Sequence, residues 1–152
     1  MYRVFLMHQQ FQRRKMKTYI KNNEGSNIVN GRHIPYKCTA GKLTIGYGRN
    51  LSDNGISEYE ATILLDSDIS DALTDLRKVF THDEFETLSF NRKMVLTDLV
   101  FNLGYPKFIK FKKMIQAVKD KDWKEAARQL KDSNYYKQVT NRAKRNIELI
   151  RE

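Results

Sequence analysis

The sequence predicts a predominantly helical α+β fold, with a small N-terminal lobe containing a β-hairpin or sheet, a long connecting helix, a helical C-terminal lobe and a cleft between the lobes. Six of the seven glycines lie within residues 25–55, where short strands joined by tight turns need them. Apolar residues recur at helical spacing through much of residues 57–150. The 152 residues suit one domain, and their 40% hydrophobic content is enough for a real core.

The N-terminal lobe is predicted to begin after a basic extension. Residues 1–15 show no clean period and are treated as an adjunct to a single domain of residues 16–152. A short helix is predicted over residues 16–23. The alternating run Leu-Thr-Ile-Gly-Tyr-Gly at residues 43–48 then predicts an antiparallel hairpin or a three-stranded sheet, which completes a small lobe of residues 16–56.

Three capping boxes predict where the helices that follow begin. Ser57-x-x-Glu60 predicts the start of a connecting helix over residues 57–80. Thr81-x-x-Glu84 opens a helical stretch that Gly104 stops, within a helical lobe of residues 81–152. Asp122-x-x-Glu125 opens a further helix. In each case, the first side chain is expected to accept a hydrogen bond from the backbone of the first helical turn.

Cysteine and histidine usage limits the kinds of site available. Cys38 is the only cysteine, which excludes an intramolecular disulfide and a closed zinc site made of several thiolates. His8, His33 and His82 are dispersed along the chain, so no metal site is predicted. We expect no cofactor.

No export or membrane signal is readable near the N-terminus. The longest apolar run there, residues 4–7, is far shorter than a secretory signal core or a membrane span. We therefore expect synthesis in the cytoplasm without a signal peptide and no membrane insertion. Monomer is the default oligomeric state.

The charge distribution indicates a polyanionic partner. The net charge is +10, with +5 over residues 1–24 and +8 over residues 105–152, while residues 57–104 are acidic. Nucleic-acid binders show such basic blocks, but so do proteins that act on a bacterial wall bearing phosphate and carboxylate groups. Charge alone leaves both alternatives open.

Glu24 is the candidate acid catalyst if the small lobe cleaves a glycosidic bond. Such cleavage needs a carboxylic acid to protonate the leaving oxygen and a second group on the opposite face of the sugar. Glu24 is the only acidic residue before Asp53, and it follows the first predicted helix. Cys38 and Thr44 are the other polar residues that stand out at the turns and strands of this lobe.

These residues resemble a known catalytic segment. Glu24-Gly25, followed by Tyr36-Lys37-Cys38-Thr39-x-Gly41-x-x-Thr44-Ile45-Gly46-Tyr47-Gly48, resembles that of the T-even type phage lysozymes, endolysins of glycoside hydrolase family 24. The likeness continues in residues 99–104 (Leu-Val-Phe-Asn-Leu-Gly), 123–127 (Trp-Lys-Glu-Ala-Ala) and 141–145 (Asn-Arg-Ala-Lys-Arg). Each motif is short, but together and in order they cover about residues 16–150.

The resemblance implies a lysozyme-like fold and an N-acetylmuramidase acting on peptidoglycan, released to the wall by a holin. It also implies catalytic roles for Glu24, Cys38 and Thr44, and saccharide contacts for Phe101, Asn102 and Gln129, whereas residues 141–145 are expected to pack the last helix. Cys38 stands where the family more often has aspartate. Thirteen residues separate Glu24 from Cys38, about five more than usual, so an enlarged turn or hairpin is expected within residues 26–35.

Two roles for Cys38 stay open from the sequence. With Thr44 it holds the attacking water, which inverts the anomeric carbon, or its thiolate attacks that carbon and the reaction retains configuration. In either role, Lys37 and Lys42 are expected to lower its pKa if their charges lie close.

Two rival functions also remain open. A lytic transglycosylase cleaves the same bond with a single glutamate, because a hydroxyl of the sugar itself attacks. A basic helical nucleic-acid-binding domain would explain the charge, although no helix-turn-helix or aromatic stacking motif is readable.

Overall fold

The structure is a computed structural model that describes residues 2–152, with side chains from Leu6 onward. Met1, part of the predicted extension, lies outside the described residues. The strands are β1 (Ile28–Val29), β2 (Arg32–His33), β3 (Tyr36–Lys37), β4 (Leu43–Ile45) and β5 (Arg49–Asn50). The helices are α1 (Tyr2–Asn23), α2 (Leu51–Asn54), α3 (Glu58–Leu76), α4 (His82–Glu86), α5 (Phe90–Leu103), α6 (Tyr105–Phe108), α7 (Lys112–Lys119), α8 (Trp123–Lys131), α9 (Asn134–Gln138) and α10 (Thr140–Arg151).

The chain divides into two compact units, one ending at Ala61 and the other running from Thr62 to Glu152. The first unit holds α1 and all of the strands found in the described residues. The second is entirely helical. This composition confirms the predicted α+β class, with strands near the N-terminus and helices after them.

The strands of the first unit form two antiparallel groups. β1 and β2 make a hairpin in which Val29 pairs with Arg32. β3, β4 and β5 make a sheet in that order, with Thr44 of the central strand opposite Tyr36 on one side and Asn50 on the other. The sequence left a hairpin or a three-stranded sheet open, and the structure contains both.

The core lies in the helical unit. α8 packs against α7 and α10, and α10 packs against α5. Their apolar faces meet because the buried residues recur at helical spacing along each helix. The largest fully buried side chains are Phe108, Leu76, Leu96, Leu99, Met114, Leu130, Ile150 and Val95.

The first helix is longer than predicted. The expected helix over residues 16–23 ends at Asn23 as predicted, but α1 begins at Tyr2, so the treatment of residues 2–15 as separate from this helix was wrong. All described side chains of α1 are exposed. A helix that buries no face needs no apolar residues at helical spacing. The sequence therefore showed no helical periodicity over residues 2–15.

The connecting helix is shorter than predicted. α3 ends at Leu76 instead of residue 80, because the amides of Val79 and Phe80 both donate to the Leu76 carbonyl, at 3.0 and 2.9 Å. This turn buries Phe80, which is 2% exposed. The helix therefore stops where the chain turns a large side chain into the core.

The helical stretch predicted from Thr81 to Gly104 is interrupted. α4 ends at Glu86, and Ser89 begins α5 by accepting a hydrogen bond from the Arg92 amide at 3.4 Å. The predicted stop at Gly104 is confirmed, and its amide donates to the Val100 carbonyl at 2.8 Å.

Two of the predicted capping boxes are complete. Those at residues 57–60 and 81–84 have both reciprocal hydrogen bonds. At the third, Asp122 accepts from the Glu125 amide at 2.9 Å, but the Glu125 carboxylate bonds instead to Arg128 and Gln129. The helix starts as predicted with only half of the box.

Candidate active site

Glu24 lies directly after α1, and its backbone is fixed by the last helical turn, where its amide donates to the Ile20 carbonyl at 2.8 Å. Its carboxylate lies against Gly48. A Cβ atom at Gly48 would be 2.8 Å from Glu24 Oε2 and 3.0 Å from its Cδ. The close approach is possible because residue 48 is glycine, which also permits its φ of +80°.

Further contacts join the end of α1 to the sheet. The Tyr36 hydroxyl donates to the Gly25 carbonyl at 3.3 Å. The Lys21 ammonium lies 4.6 Å from the centre of the Tyr47 ring, and His33 packs edge-on against the same ring at 4.9 Å. These contacts position the helix end, and with it the candidate acid, beside the turn between β4 and β5.

Cys38 lies at the start of the loop between β3 and β4. Its amide donates to the Lys42 carbonyl at 3.0 Å, and its carbonyl accepts from the Gly41 amide at 2.8 Å. The φ of Gly41 is +74°, which glycine adopts without steric cost. The loop thus folds back tightly around a partly exposed thiol.

The pKa of this thiol is lowered from its usual value. The backbone amide of Ala40 is the largest cause and that of Lys42 the next, while partial desolvation opposes them. From the sequence, the charges of Lys37 and Lys42 were expected to lower this pKa. Backbone amides are the main cause instead, since the Lys42 ammonium is paired with Asp53 at 2.9 Å.

Thr44 is central in the three-stranded sheet and only 4% exposed. Its hydroxyl lies 3.1 Å from the Lys42 carbonyl, to which it donates. This bond ties Thr44 to the last residue of the loop that begins at Cys38.

The other sequence-predicted residues lie in the helical unit, where Phe101 and Gln129 line two grooves. Phe101, near the end of α5, is 42% exposed and lines an apolar groove of about 600 Å³ with Ile69, Leu73 and Met94. Asn102 follows it and is exposed. Gln129 lies on α8 in a different groove, so the structure does not place Phe101 and Gln129 in the same one.

The groove at Gln129 has a volume of about 620 Å³ and a strongly basic lining. Four lysines line it, together with the amides of Asn134 and Gln138: Lys107, Lys110, Lys112 and Lys113. Its one acidic lining residue, Asp132, is paired with Arg128 at 3.1 Å. Such a lining favours a polar, negatively charged ligand.

Comparison of the sequence with known proteins identifies a family. The sequence profile described as "Phage lysozyme" matches residues 26–146, most of the chain. The chain belongs to the phage lysozyme family.

Relatives of this lysozyme include two proteins of Dictyostelium discoideum. They are "Probable T4-type lysozyme 2", 29% identical, and "Probable T4-type lysozyme 1", 30% identical, each matched over 89% of this chain and 92% of its own length. The "Pre-baseplate central spike protein Gp5" of Enterobacteria phage T4 is 30% identical over 68% of this chain and 18% of its own length. The predicted family and enzyme class, a lysozyme, are confirmed.

The near-terminal motif of this lysozyme has a structural role, as predicted. Arg142 Nε lies 2.9 Å from both carboxylate oxygens of Asp98, so α10 is tied to α5. Asn146, 6% exposed, donates to Asp98 at 2.7 Å and to the Tyr135 hydroxyl at 3.0 Å. Burial tends to raise the pKa of Asp98, but these bonds and the Arg142 charge hold it below its usual value.

Of two features near Glu24, the sequence predicted one as either a turn or a hairpin and missed the other. The expected enlargement within residues 26–35 is the β1–β2 hairpin, whose turn places Asn30 and Gly31 at φ of 49° and 75°. Asn-Gly is a strong hairpin signal and could have predicted it. No sequence pattern near either residue predicts the contact of Gly48 with Glu24.

Two searches of the described residues gave negative results. Across residues 2–152, no group of three or more His, Cys, Asp or Glu side chains could hold a metal ion. Within the same part of the chain, no helix is both long and apolar enough to cross a membrane.

Proposed function

We propose that this lysozyme is an N-acetylmuramidase of the endolysin type, which hydrolyses the β-1,4 bond between N-acetylmuramic acid and N-acetylglucosamine in bacterial peptidoglycan. The observation that carries the proposal is the small-lobe site itself. A carboxylate packed on Gly48 and a thiol with a lowered pKa lie in one unit of a phage lysozyme family member.

Glu24 acts as the general acid. It protonates the oxygen of the leaving sugar, and the bond to the anomeric carbon breaks as that proton is delivered. The Gly48 contact supports this role because it places the carboxylate beside the turn between β4 and β5, where the exposed side chain is accessible to a substrate. General-acid catalysis of this kind contributes about 10²- to 10⁴-fold in rate.

Cys38 acts as an anion that holds the attacking water. Its lowered pKa favours the thiolate, which accepts a hydrogen bond from water as a carboxylate does. The same hydrogen bonds make the thiolate a weaker nucleophile, since nucleophilicity falls as the pKa falls. The arrangement thus supports direct attack by water and inversion, in which the thiolate takes the proton that the water loses and Thr44 orients Cys38.

Phe101, Asn102 and Gln129 contribute saccharide contacts in this proposal. The exposed ring of Phe101 suits stacking against a sugar face. The amide groups around Gln129 suit the hydroxyl and acetamido groups of the glycan, and the lysines of that groove suit its carboxylates. We propose that the enzyme acts as a monomer, on walls reached from the cytoplasm through a holin.

Muropeptide analysis tests the reaction. Purified walls are digested with the enzyme, and the products are separated and weighed by mass spectrometry. Hydrolysis at the proposed bond leaves reducing N-acetylmuramic acid ends, whereas 1,6-anhydro ends would establish a lytic transglycosylase instead. Proton NMR of the first product then gives its configuration. An α-anomer indicates inversion, and a β-anomer would overturn the proposed role of Cys38.

Substitution of the acid tests the assignment of Glu24. Glu24→Gln should lower turbidity clearing of wall preparations at least 100-fold, because the amide cannot supply the proton. Glu148→Gln is a matched control, since Glu148 is an exposed carboxylate on α10. Clearing at the wild-type rate by Glu24→Gln, with both variants equally folded by circular dichroism, would refute the assignment.

A further inference from the structure

The Lys42 carbonyl connects the two residues assigned to the water-attack step. It accepts a hydrogen bond from the Cys38 amide at 3.0 Å and another from the Thr44 hydroxyl at 3.1 Å. A carbonyl oxygen has two lone pairs, so it can accept both bonds at once. The position of residue 42 therefore sets where the backbone of Cys38 and the side chain of Thr44 lie relative to each other.

Residues 42 and 43 are held in turn by α2, the four-residue helix that follows β5. The Leu43 amide donates to the Ser52 hydroxyl oxygen at 2.9 Å, and the Lys42 ammonium donates to Asp53 Oδ1 at 2.9 Å. Because β5 ends at Asn50, Ser52 gives the Leu43 amide an acceptor beyond the last strand pair. Two neighbouring residues of the loop end are thus bonded to one short helix.

The Asp53 carboxylate is itself oriented by Asn50. The side-chain amide of Asn50 donates to Asp53 Oδ2 at 2.9 Å, and its side-chain oxygen accepts from the Asp53 backbone amide at 3.0 Å. Asn50 is also the residue opposite Thr44 in the sheet. These contacts form a closed ring that begins and ends at Thr44, so α2 is fixed to the same strand whose loop it holds.

We propose that Ser52 and Asp53 are positioning residues, which fix the Cys38 loop for the attack of water on the anomeric carbon. They act through the backbone of residues 42 and 43, and the inference rests on the proposed function of Cys38. The side chains of the Lys42–Asp53 pair are 47% and 51% exposed, and exposed ion pairs add little to stability. Loss of either anchor should therefore affect catalysis more than unfolding.

Ser52→Ala tests the first anchor, because it removes the acceptor of the Leu43 amide without changing any charge. Displacement of a reacting group by about 1 Å costs on the order of 10²-fold in rate, and Asp53 still holds the loop. We therefore expect kcat for soluble peptidoglycan strands to fall roughly tenfold, with KM unchanged. Ser52→Thr keeps the hydroxyl and should restore kcat. Asp53→Ala should also lower kcat, and Asp53→Asn, which keeps Oδ1 for Lys42, should lower it less.

Alkylation of the thiol reports on the loop without any wall cleavage. Cys38 is the only cysteine, so the rate of its reaction with iodoacetamide, measured against pH, follows the titration of this thiol alone. The Lys42 amide lowers the pKa of the thiol, so its displacement in Ser52→Ala should move the midpoint of the curve to higher pH. Ser52→Thr should return the midpoint to the wild-type value.

Two controls separate positioning from a general structural effect. Asp75→Ala removes the acid of another lysine–aspartate pair, with Lys78 in the helical unit at 2.6 Å, and should change neither kcat nor the midpoint. In an enzyme that already carries Cys38→Ala, Ser52→Ala should have little further effect on kcat, because the group that it positions is gone. Thermal unfolding followed by circular dichroism verifies that all variants are folded.

Three outcomes would overturn the proposal. They are a wild-type kcat in Ser52→Ala, whether or not the alkylation midpoint moves, an equal loss in Ser52→Thr and Ser52→Ala, and an equal loss in Asp75→Ala. The muramidase proposal fails by a different result, which is the absence of wall cleavage by the wild-type enzyme. In that case the alkylation curves still decide whether α2 positions Cys38.

Discussion

Gly48→Ala tests whether activity depends on the position of the Glu24 side chain, because it displaces that side chain and leaves the proposed proton donor itself in place. The added methyl group would stand 2.8 Å from Glu24 Oε2, whereas ordinary contact begins at 3.4 Å. The carboxylate must therefore move about 0.6 Å or rotate away. Because misplacement of a reacting group by about 1 Å costs on the order of 10²-fold in rate, we expect kcat to fall roughly 10- to 100-fold.

The same substitution has a backbone cost that must be measured separately. An alanine at a φ of +80° is destabilised by about 1–2 kcal/mol relative to glycine. Gly31→Ala provides the control, because Gly31 has a φ of +75° with nothing within 4 Å of an added Cβ. Both variants should lose similar free energy of unfolding in urea, and Gly48→Ala alone should lose activity.

The assay is the initial rate of release of reducing ends from soluble peptidoglycan strands. In a double-mutant cycle, Gly48→Ala should have no further effect on an enzyme that already carries Glu24→Gln, because the proton donor is gone. Equal rates for the two alanine variants, at equal stability, would refute the view that Gly48 positions the acid.

Three further predictions address the thiol, the interhelical ion pair and the basic groove. Cys38→Asp should retain clearing and shift the rise of kcat/KM with increasing pH to lower pH, since the ordinary pKa of an aspartate is about 3.9 and that of a cysteine about 8.5; an unchanged pH profile would contradict a role for the thiolate. Asp98 has a folded-state pKa below its unfolded value, so its stabilisation is present above about pH 4 and is lost as the pH falls through the folded-state pKa. Asp98→Asn should flatten this acid limb in urea unfolding measured from pH 2 to 7, and an unaltered limb would be inconsistent with the pairing to Arg142. Gln129→Leu should raise KM for soluble strands about fivefold through loss of a hydrogen bond while kcat stays unchanged; a fall in kcat with constant KM would count against a binding role.

Local signals predicted the helical unit well, because caps and apolar periodicity act over a few residues. Ser57 and Thr81 begin helices by hydrogen bonds to backbone amides three residues ahead, and Gly104 ends one, all within the span of a motif. The break at Ser89 was not predicted, since a serine between two helical patterns fits either a continuous helix or a new cap. The part of α1 before residue 16 was not predicted, because an exposed helix is not marked by an apolar period.

The candidate site was predicted only in part. Glu24, Cys38 and Thr44 follow from residue types and from resemblance to a family, and the structure shows the Thr44 hydroxyl bonded to the Lys42 carbonyl at the end of the Cys38 loop. Their surroundings depend on where backbone groups point, which a sequence does not state. The Gly48 contact is of this kind, since it joins residues 24 positions apart.

The loop around Cys38 gives a physical reason why a thiol can stand where the family more often has aspartate. The backbone amides of Ala40 and Lys42 lower the pKa of the thiol, and amides stabilise a thiolate or a carboxylate in the same way. The nearest loop cation, Lys42, is already paired with Asp53, so the anion is stabilised without being held in an ion pair. An anion held in this way stays free to accept a proton or bind water. In the proposed role of Cys38, the backbone of the loop stabilises the anion, and the side chain need only be small and ionisable.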